Sequence, residues 1–230
     1  MMRKVGILGG MGPEATVLLM QKIIAAVPAT DDADHVPLIV DQNSQVPSRI
    51  AHLIEGTGPD PAPVLAAMAR RLEAAGAEAL AMPCNTAHHY ADAIRGAVTI
   101  PFLDMIAASA RAARQAAGQG AAVALLASPA VAQVGLFDRA LAAEGLRVIH
   151  AEDGPALLSA IRAIKATGPD ERSRAALRLA SDRLLAQGAA LHLIACTEFS
   201  LIPDAVAPGV RVIDTLDVLV ADIVAFARSA

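Results

Sequence analysis

The chain is poor in aromatic residues and carries little excess charge. Of its 230 residues only 2% are aromatic, with no Trp and one Tyr, which argues against an aromatic platform for stacking bases or sugars. The formal net charge is −4 at pH 7, which argues against binding to nucleic acid or to an anionic membrane. An anionic ligand would therefore have to be bound by a few cations in defined positions.

Long apolar runs and a disulfide framework are also missing. Glycines interrupt the first apolar run between Gly9 and Pro13, before it reaches the length of a signal sequence. No uninterrupted apolar stretch is long enough for a membrane span. We therefore expect a soluble, cytoplasmic protein whose two cysteines are reduced thiols.

These two cysteines occupy matching positions in two halves of the sequence. Cys84 ends the apolar segment that begins at Leu80, and Cys196 ends the one that begins at Leu193. An Arg-Leu-x-Ala-x-Gly-Ala pattern precedes each cysteine, and both copies show the same offset of 112 residues. Thr-Gly-Pro-Asp turns repeat at an offset of 110 residues. This ordered series of matches predicts an internal repeat.

Apolar runs of strand length alternate with helical patterns, which is typical of parallel α/β sheets. The expected strands are 4–8, 36–40, 79–82, 100–103, 122–126, 147–150, 191–195 and 211–213. The expected helices include 13–27, 62–75, 104–117, 131–143, 170–187 and 215–227. We predict an α/β fold of two pseudo-symmetric flavodoxin-like half-domains, each a parallel sheet flanked by helices.

The predicted half-domains are residues 1–105, joined by 211–230, and residues 106–210. Ligands of open parallel sheets bind beyond the carboxyl ends of the strands, where both cysteines are expected. The cleft between the two half-domains is therefore the expected active site.

Two thiols on opposite sides of one carbon could invert a stereocentre. One thiolate would remove a proton while the other thiol delivers a proton to the opposite face. Each cysteine is expected at the start of a helix, where the helix dipole would lower the pKa of its thiol. The polar residues after the cysteines, Asn85, Thr86 and Thr197, could hydrogen-bond a carboxylate attached to the reacting carbon.

Other interpretations of these segments stay open. A free buried cysteine usually serves as a small hydrophobic residue, although two at matching strand ends favour a functional pair. One of the histidines after Cys84, His88 or His89, could form a cysteine–histidine pair, but capping or packing is the commoner role. The loop Gly10-x-Gly12-x-x-Ala15, with Asp41 after the next strand, fits a dinucleotide fingerprint, so a nucleotide-dependent oxidoreductase is an alternative.

Arg49 and Lys165 are the expected cations of the site. Arg49 follows the second predicted strand, and Lys165 precedes the second Thr-Gly-Pro-Asp turn, so both are expected in a loop or at a helix start. An arginine can bind a carboxylate through two hydrogen bonds, and a lysine adds a point charge. Two cations favour a substrate with a second carboxylate, although surface cations without a ligand are common.

Three segments resemble the aspartate/glutamate racemase family, which works without pyridoxal phosphate. They are Gly9-Gly-Met-Gly-Pro-Glu-Ala-Thr16, Met82-Pro-Cys-Asn-Thr-Ala-His88 and Ala195-Cys-Thr-Glu198, and the resemblance extends over the whole chain. The glutamate racemases of cell-wall synthesis have an Asp-Ser pair in the first loop. This chain has Gly10-Met-Gly12 there, so it is more similar to the aspartate racemase branch.

The resemblance implies a racemase of aspartate, with glutamate as a second substrate, in which Cys84 and Cys196 are the two catalytic acid/bases. It implies no cofactor and no metal, and it implies a homodimer. The residues that it implies for substrate binding are Met11, Gln45, Arg49, Asn85, Thr86, Ser128, Lys165, Thr197 and Glu198. The loop at Ser128 departs from the family pattern, because it reads Ala-Ser-Pro-Ala where threonines are usual.

Related reactions are alternatives at this point. Similar enzymes isomerise maleate, decarboxylate arylmalonates or racemise hydantoins. Two cysteines disfavour a one-cysteine decarboxylase, whereas maleate also carries two carboxylates, so maleate cis–trans isomerisation or another reaction of a dicarboxylate stays open. A non-catalytic amino-acid-binding protein is an alternative from a different class, and in such a protein one cysteine should be dispensable.

Overall fold

The computed structural model describes residues 2–189 and 191–229, which form two separate parallel sheets of four strands. The first sheet contains β1 (Val5–Gly9), β2 (Leu38–Gln42), β3 (Ala79–Ala81) and β4 (Phe102–Leu103). The second contains β5 (Ala122–Ala127), β6 (Arg147–His150), β7 (Leu191–Ala195) and β8 (Arg211–Asp214). The spatial orders are β2-β1-β3-β4 and β6-β5-β7-β8, which confirms the prediction of two like parallel sheets.

Helices connect the successive parallel strands except β7 and β8, which are joined through two 3₁₀ turns. The helices before β5 in the chain are α1 (Pro13–Ala26), α2 (Arg49–Leu53), α3 (Ala62–Ala74), α4 (Ala91–Arg95) and α5 (Met105–Ala117). Those after β5 are α6 (Pro129–Val134), α7 (Leu136–Ala143), α8 (Gly154–Thr167), α9 (Glu171–Ala186) and α10 (Thr215–Arg228). Short 3₁₀ turns lie at Asp32–Asp34, Thr86–Tyr90, Phe199–Leu201 and Pro203–Ala205. No helix within the described residues is long and apolar enough to cross a membrane.

Two helical predictions need correction. The single helix expected over 131–143 is two helices, because Gly135 adopts φ +61° between α6 and α7 and ends the first of them. α8 is absent from the predicted helices, although Leu157, Ile161 and Ile164 are buried along one face of it. This omission matters because Lys165 lies in the last turn of α8.

The chain divides into two compact units. The first comprises the described residues up to Met105 and from Leu216 onward, and the second comprises Ile106–Thr215. The sequence assigned all of 211–230 to the first half, but β8 pairs in parallel with β7 and so belongs to the second unit. Only α10 returns to the first unit, because its apolar face packs there against α1 and β1.

Helices cover both faces of each sheet. Alternate residues of β1 face α1 and α10 on one side and α3 on the other. In the second unit, α5 and α7 pack on one face of β5 and β7, and α8 and α9 pack on the other. With both faces covered, a ligand is expected at the loops beyond the carboxyl ends of the strands, where open α/β sheets bind their ligands.

Candidate active site

Both cysteines lie just beyond the carboxyl end of the third strand of their sheet. Cys84 follows β3 after two intervening residues, and Cys196 follows β7 directly. Each is a free thiol, and each residue is 7% exposed. The sequence repeat therefore corresponds to a repeat of structure, with two thiols equivalent in strand, sheet order and burial.

His88 fixes the backbone at Cys84. The Nδ1 atom of His88 lies 2.8 Å from the carbonyl oxygen of Cys84, and the backbone N–H of Met105 points at Nε2 over 3.3 Å. The two bonds define the tautomer, because Nδ1–H must donate to the carbonyl while Nε2 accepts from Met105. Burial lowers the pKa of His88, so this ring is a neutral structural group.

Cys196 is hydrogen-bonded to a carboxylate. Its Sγ donates to Oε2 of Glu198 over 3.0 Å, and Oε1 of Glu198 lies 2.8 Å from Nζ of Lys165. Glu198 is only 7% exposed, whereas the Lys165 side chain is 36% exposed. Glu198 therefore connects the Cys196 thiol and the Lys165 ammonium group, with one carboxylate oxygen bonded to each.

The expected effect of a helix dipole on the thiol of Cys196 is wrong. Burial raises the pKa of the Cys196 thiol well above its usual range, and the neighbouring Glu198 carboxylate raises this pKa further, while Lys165 lowers it. The element after Cys196 is a single 3₁₀ turn, Phe199–Leu201, so it offers no long helix whose dipole could offset burial. A similar 3₁₀ turn, Thr86–Tyr90, follows Cys84.

The polar residues next to the cysteines are buried at the same strand ends. Asn85 is 2% exposed, Thr197 is 2% exposed, and Thr86 is half-buried at the start of its 3₁₀ turn. Their amide and hydroxyl groups are therefore within one or two residues of a thiol and sheltered from solvent. This is the arrangement expected of groups that hold a carboxylate beside the reacting carbon.

Arg49 is the first residue of α2, as its position after a strand predicted. Its Nη1 donates to the carbonyl oxygens of Pro47 at 2.9 Å and Val46 at 3.3 Å, which holds the guanidinium group against its own loop. Ser48 caps the helix by accepting from the backbone N–H of Ala51. A guanidinium group has five N–H donors, so these two bonds do not exhaust its capacity.

Lys165 differs from the prediction of a loop or helix-start position. It lies in the last turn of α8, where a cation is favourable beside the helix C-terminus. Arg49, by contrast, begins a helix of only five residues. The two cations are therefore not equivalent by the repeat, and only Lys165 has an ion pair with a neighbouring buried carboxylate.

The remaining predicted site residues also follow strands. Met11 is 2% exposed and packs in the same apolar cluster as Cys84 and Val46. Gln45 is exposed in the loop after β2. Ser128 is 4% exposed and occupies the N-cap of α6, directly after β5.

Backbone packing explains the glycine-rich loop. Gly10 has φ +90°, and a Cβ at this position would lie 2.4 Å from the backbone of Asn43. The hydroxyl of Thr16 accepts from the N–H of Gly10 at 2.9 Å and closes the turn. Asp41, which would bind a ribose in a dinucleotide site, is paired with Arg71 at 2.6 Å. These contacts favour a structural role for the loop over a nucleotide site.

Within the first unit, the fold collects Met11, Gln45, Arg49 and Cys84 at the carboxyl ends of β1, β2 and β3. Within the second, it places Ser128 and Cys196 at the ends of β5 and β7. In the part of the chain that the structure describes, no group of three His, Cys, Asp or Glu side chains is arranged to hold a metal ion.

Sequence reasoning missed two contacts that shape the surroundings of the cysteines. One is the thiol–carboxylate hydrogen bond of Cys196, for which the Cys-Thr-Glu spacing was an available signal. The other is the bond from His88 to the carbonyl of Cys84, which turns the expected packing role into a specific one. The ion pair of Lys165 could not be inferred, because it joins α8 to a distant strand end.

The sequence matches a known protein family over most of its length. The family model described as Asp/Glu/hydantoin racemase matches residues 8–223. The broad specificity amino-acid racemase of Bacillus subtilis (strain 168) is 27% identical over 216 residues, which cover 92% of this chain and 92% of that protein.

Solved structures share the fold. The aspartate racemase of Picrophilus torridus is 26% identical with a TM-score of 0.81, and the match covers 98% of this chain and 94% of that one. A glutamate racemase from Bacillus anthracis is 18% identical with a TM-score of 0.67, over 97% of this chain and 80% of that one. The second likeness shows the fold alone, and together they confirm an architecture of two flavodoxin-like halves.

Proposed function

The chain belongs to the Asp/Glu/hydantoin racemase family, and on that premise we propose that it racemises aspartate, with glutamate as a second substrate, without pyridoxal phosphate. It is an amino-acid racemase and thus an isomerase. The observation that carries the proposal is the pair of equally buried free thiols beyond the third strand of each sheet.

Racemisation needs one base and one acid at the same α-carbon. In the proposed reaction a thiolate takes the α-proton, so that the C–H bond breaks, an S–H bond forms and the electron pair stays on the α-carbon. The other thiol then gives its proton to the opposite face of that carbon and becomes a thiolate. The product has the inverted configuration, and one proton has moved from one cysteine to the other. Both directions therefore use an enzyme that holds one thiol and one thiolate.

Groups beside the cysteines support the binding of the α-carboxylate. Asn85, Thr86 and Thr197 supply amide and hydroxyl donors one or two residues from the thiols. Donors that hydrogen-bond the carboxylate also stabilise the negative charge that spreads into it when the α-proton leaves. The resemblance also implies Met11, Gln45 and Ser128 as substrate-binding residues, and each follows a strand of its own unit.

Arg49 is the proposed anchor for the side-chain carboxylate. Its Nη1 donates to two carbonyl oxygens, and the other N–H groups of the guanidinium can bind a carboxylate. Lys165 adds a second positive charge, but Glu198 balances it. The resemblance implied that Glu198 contacts the substrate, whereas its bonds to Cys196 and Lys165 support a place beside the thiol.

The ion pair between Lys165 and Glu198 favours a second candidate, a racemase of broad specificity. A site whose lysine is neutralised attracts a second carboxylate less strongly, so amino acids with uncharged side chains compete better. The Bacillus subtilis relative is itself described as a broad specificity amino-acid racemase. Relative rates on aspartate and on neutral amino acids decide between the two.

Deuterium exchange tests the proposal directly. The protein is incubated in D₂O with L-aspartate, D-aspartate, L-glutamate, L-alanine or maleate, and α-deuteration and chirality are followed by NMR and chiral chromatography. We expect aspartate to gain α-deuterium while both enantiomers approach equal amounts. Comparable rates with alanine would support broad specificity, and conversion of maleate to fumarate would support the isomerase alternative. Absence of α-exchange with every amino acid would contradict racemisation.

We also propose a homodimer, which the resemblance implies. Light scattering coupled to gel filtration measures the mass in solution. A mass of twice 23.5 kDa is expected, and a monomer at all concentrations would contradict the proposal.

A further inference from the structure

We propose that Cys196 rests as a thiol whose proton is held by Glu198, and that Glu198 accepts this proton when Cys196 has to act as the base. Glu198 is then a positioning residue for one of the two cysteines, with no counterpart at the other. The inference rests on the proposed racemase function and deepens it, because it gives the two catalytic thiols different resting states.

The geometry requires a proton between Cys196 and Glu198. The 2.8 Å ion pair with Lys165 identifies Glu198 as an ionised carboxylate, and such a group only accepts hydrogen bonds. A thiolate also only accepts. The 3.0 Å contact between Sγ and Oε2 is therefore a hydrogen bond only while Cys196 carries its proton.

Burial makes this contact strong enough to decide the protonation state. Cys196 and Glu198 are each 7% exposed, so a thiolate and a carboxylate in contact would repel each other with little screening by solvent. The charged groups that act on Cys196 are Glu198, from its own segment, and Lys165, from α8. Lys165 bonds to the carboxylate, so it compensates the charge of Glu198 more than it stabilises a thiolate.

The corresponding position in the first unit carries no charge. At the repeat offset of 112 residues, Glu198 corresponds to Thr86 and Cys196 to Cys84. Among the described residues no carboxylate is hydrogen-bonded to the thiol of Cys84, and the bond from His88 goes to the carbonyl oxygen of this residue. The two cysteines are thus equal in burial and different in the charge beside them.

The proton balance of the two directions follows. The two thiols share one proton, which Cys196 holds at rest. When Cys84 is the base, it takes the α-proton, and the Sγ proton of Cys196 passes to the opposite face of the α-carbon. The proton on Cys84 then returns through solvent and Oε2 of Glu198 to Cys196. When Cys196 is the base, the same states follow in the opposite order. Its proton first passes to Oε2 of Glu198 and on through solvent to Cys84, the Cys196 thiolate takes the α-proton, and Cys84 gives its own proton to the opposite face.

The difference in protonation between the two cysteines cannot be measured from kcat/KM. The two enantiomers have equal free energies, so kcat/KM is the same in both directions for the wild type and for every variant. Alkylation of each thiol depends on its own thiolate fraction and needs no substrate. Because the two cysteines are equally exposed, Cys84 is an internal reference for access of the reagent.

The test is the pH dependence of iodoacetamide labelling of the full-length protein, with each cysteine quantified by peptide mass spectrometry. In Glu198→Gln the charge and the acceptor of the thiol proton are lost. We expect labelling of Cys196 at pH 8 to rise by about tenfold for each unit by which its pKa falls, with labelling of Cys84 unchanged. The matched control is Glu171→Gln, an exposed residue of the first turn of α9, which should leave both rates as in the wild type.

Lys165→Met should change the labelling of Cys196 in the opposite direction to Glu198→Gln. Loss of the cation leaves Glu198 uncompensated, so labelling of Cys196 should become slower than in the wild type. In turnover, Glu198→Gln should shift the pH profile of kcat, which a purely structural side chain would not do.

Two outcomes overturn the inference. One is a Glu198→Gln protein with wild-type circular dichroism and Cys84 labelling but no acceleration at Cys196, and the other is faster labelling in Lys165→Met. The proposed function is tested separately by α-deuteration. If labelling shifts as expected but no amino acid exchanges, the thiol–carboxylate pair stands and the racemase proposal fails. If exchange occurs without the shift, only the inference fails.

Discussion

Cys84 and Cys196 lie at equivalent places in two sheets with the same strand order, yet the side chains around them differ. Each follows the third strand in its sheet, and each is 7% exposed. Two residues further on, the first unit has Thr86 and the second has Glu198, whose carboxylate bonds to the thiol. The repeated backbone therefore sets where the thiols lie, whereas single neighbouring side chains set their protonation.

The carbonyl groups of the two cysteines are also bonded differently. The carbonyl of Cys84 accepts from the ring of His88 at 2.8 Å. The carbonyl of Cys196 accepts from the backbone N–H groups of Phe199 at 2.9 Å and Ser200 at 3.3 Å. A titratable side chain thus supports one strand end, while backbone amides support the other, and the first should be the more sensitive to pH.

The largest expected effect comes from removing either thiol. Cys84→Ala and Cys196→Ala should each lower the rate of aspartate racemisation by about 10²–10⁴-fold, because an acid or a base is lost in one step of the reaction. The remaining cysteine can still exchange the α-proton on its own face, so each variant should deuterate one enantiomer with retention. Chiral chromatography and NMR in D₂O measure both effects.

This pair of variants also tests the equivalence of the cysteines. If the two act on opposite faces, the enantiomer that keeps α-exchange should be different in the two variants. Labelling of the remaining cysteine and circular dichroism serve as controls for folding. Full racemisation by either variant would refute a two-base reaction.

A smaller effect should separate the two cations. Arg49→Ala should lower kcat/KM for aspartate by roughly 10–100-fold relative to a neutral amino acid, because charge-assisted hydrogen bonds contribute about 1.5–3 kcal/mol. Lys165→Met should cost less, since Glu198 already balances this charge. Steady-state kinetics with aspartate and alanine measure the ratio.

Arg70→Ala is the matched control, because Arg70 is an exposed arginine of α3 in the same unit as Arg49. It should leave the ratio unchanged. Equal losses on aspartate and alanine in Arg49→Ala would argue against a carboxylate anchor. A larger loss in Lys165→Met than in Arg49→Ala would reverse the ranking of the cations.

The smallest expected effect is on stability at acid pH. Burial lowers the pKa of His88, so near pH 6.5 the unfolded chain binds a proton that the folded protein does not bind. The contribution of His88 to the free energy of unfolding is therefore complete above about pH 6.5 and is lost as the pH falls below that value. His88→Gln should remove up to about 1.4 kcal/mol per pH unit from the slope of the unfolding free energy. Urea unfolding between pH 8 and pH 5 measures this slope.

His89→Gln is the control, because His89 is exposed and adjacent in sequence. Burial also lowers the pKa of His192 in the second unit, so part of the acid sensitivity should persist in His88→Gln. A His88→Gln protein with the slope of the wild type would show that the carbonyl of Cys84 is not held by a titrating group.

Most of the sheet architecture could be predicted from local sequence patterns. The predicted bounds of β6 and β7 match the structure. β1 and β2 are shifted by one and two residues at both ends, and β3, β4, β5 and β8 differ by one or two residues at a single end. One failure was α8, whose helical spacing of apolar residues was present but not used. Another was the helix predicted over 131–143, which Gly135 divides in two. A third was the assignment of residues 211–214, because the partner of a strand is decided by pairing across the fold and not by its own residues.

Two parallel sheets, each with a thiol at the carboxyl end of one strand, follow from the amino-acid sequence. These features depend on local hydrophobic pattern, on turn residues and on a repeat, which are properties of the linear sequence. The folded structure was needed to establish three contacts: the bond of Cys196 to Glu198, the ion pair of Lys165 with Glu198 and the bond of His88 to the carbonyl of Cys84. The state of a titratable group depends on burial and on charges brought to it by other elements, so equal positions in the repeat did not imply equal chemistry.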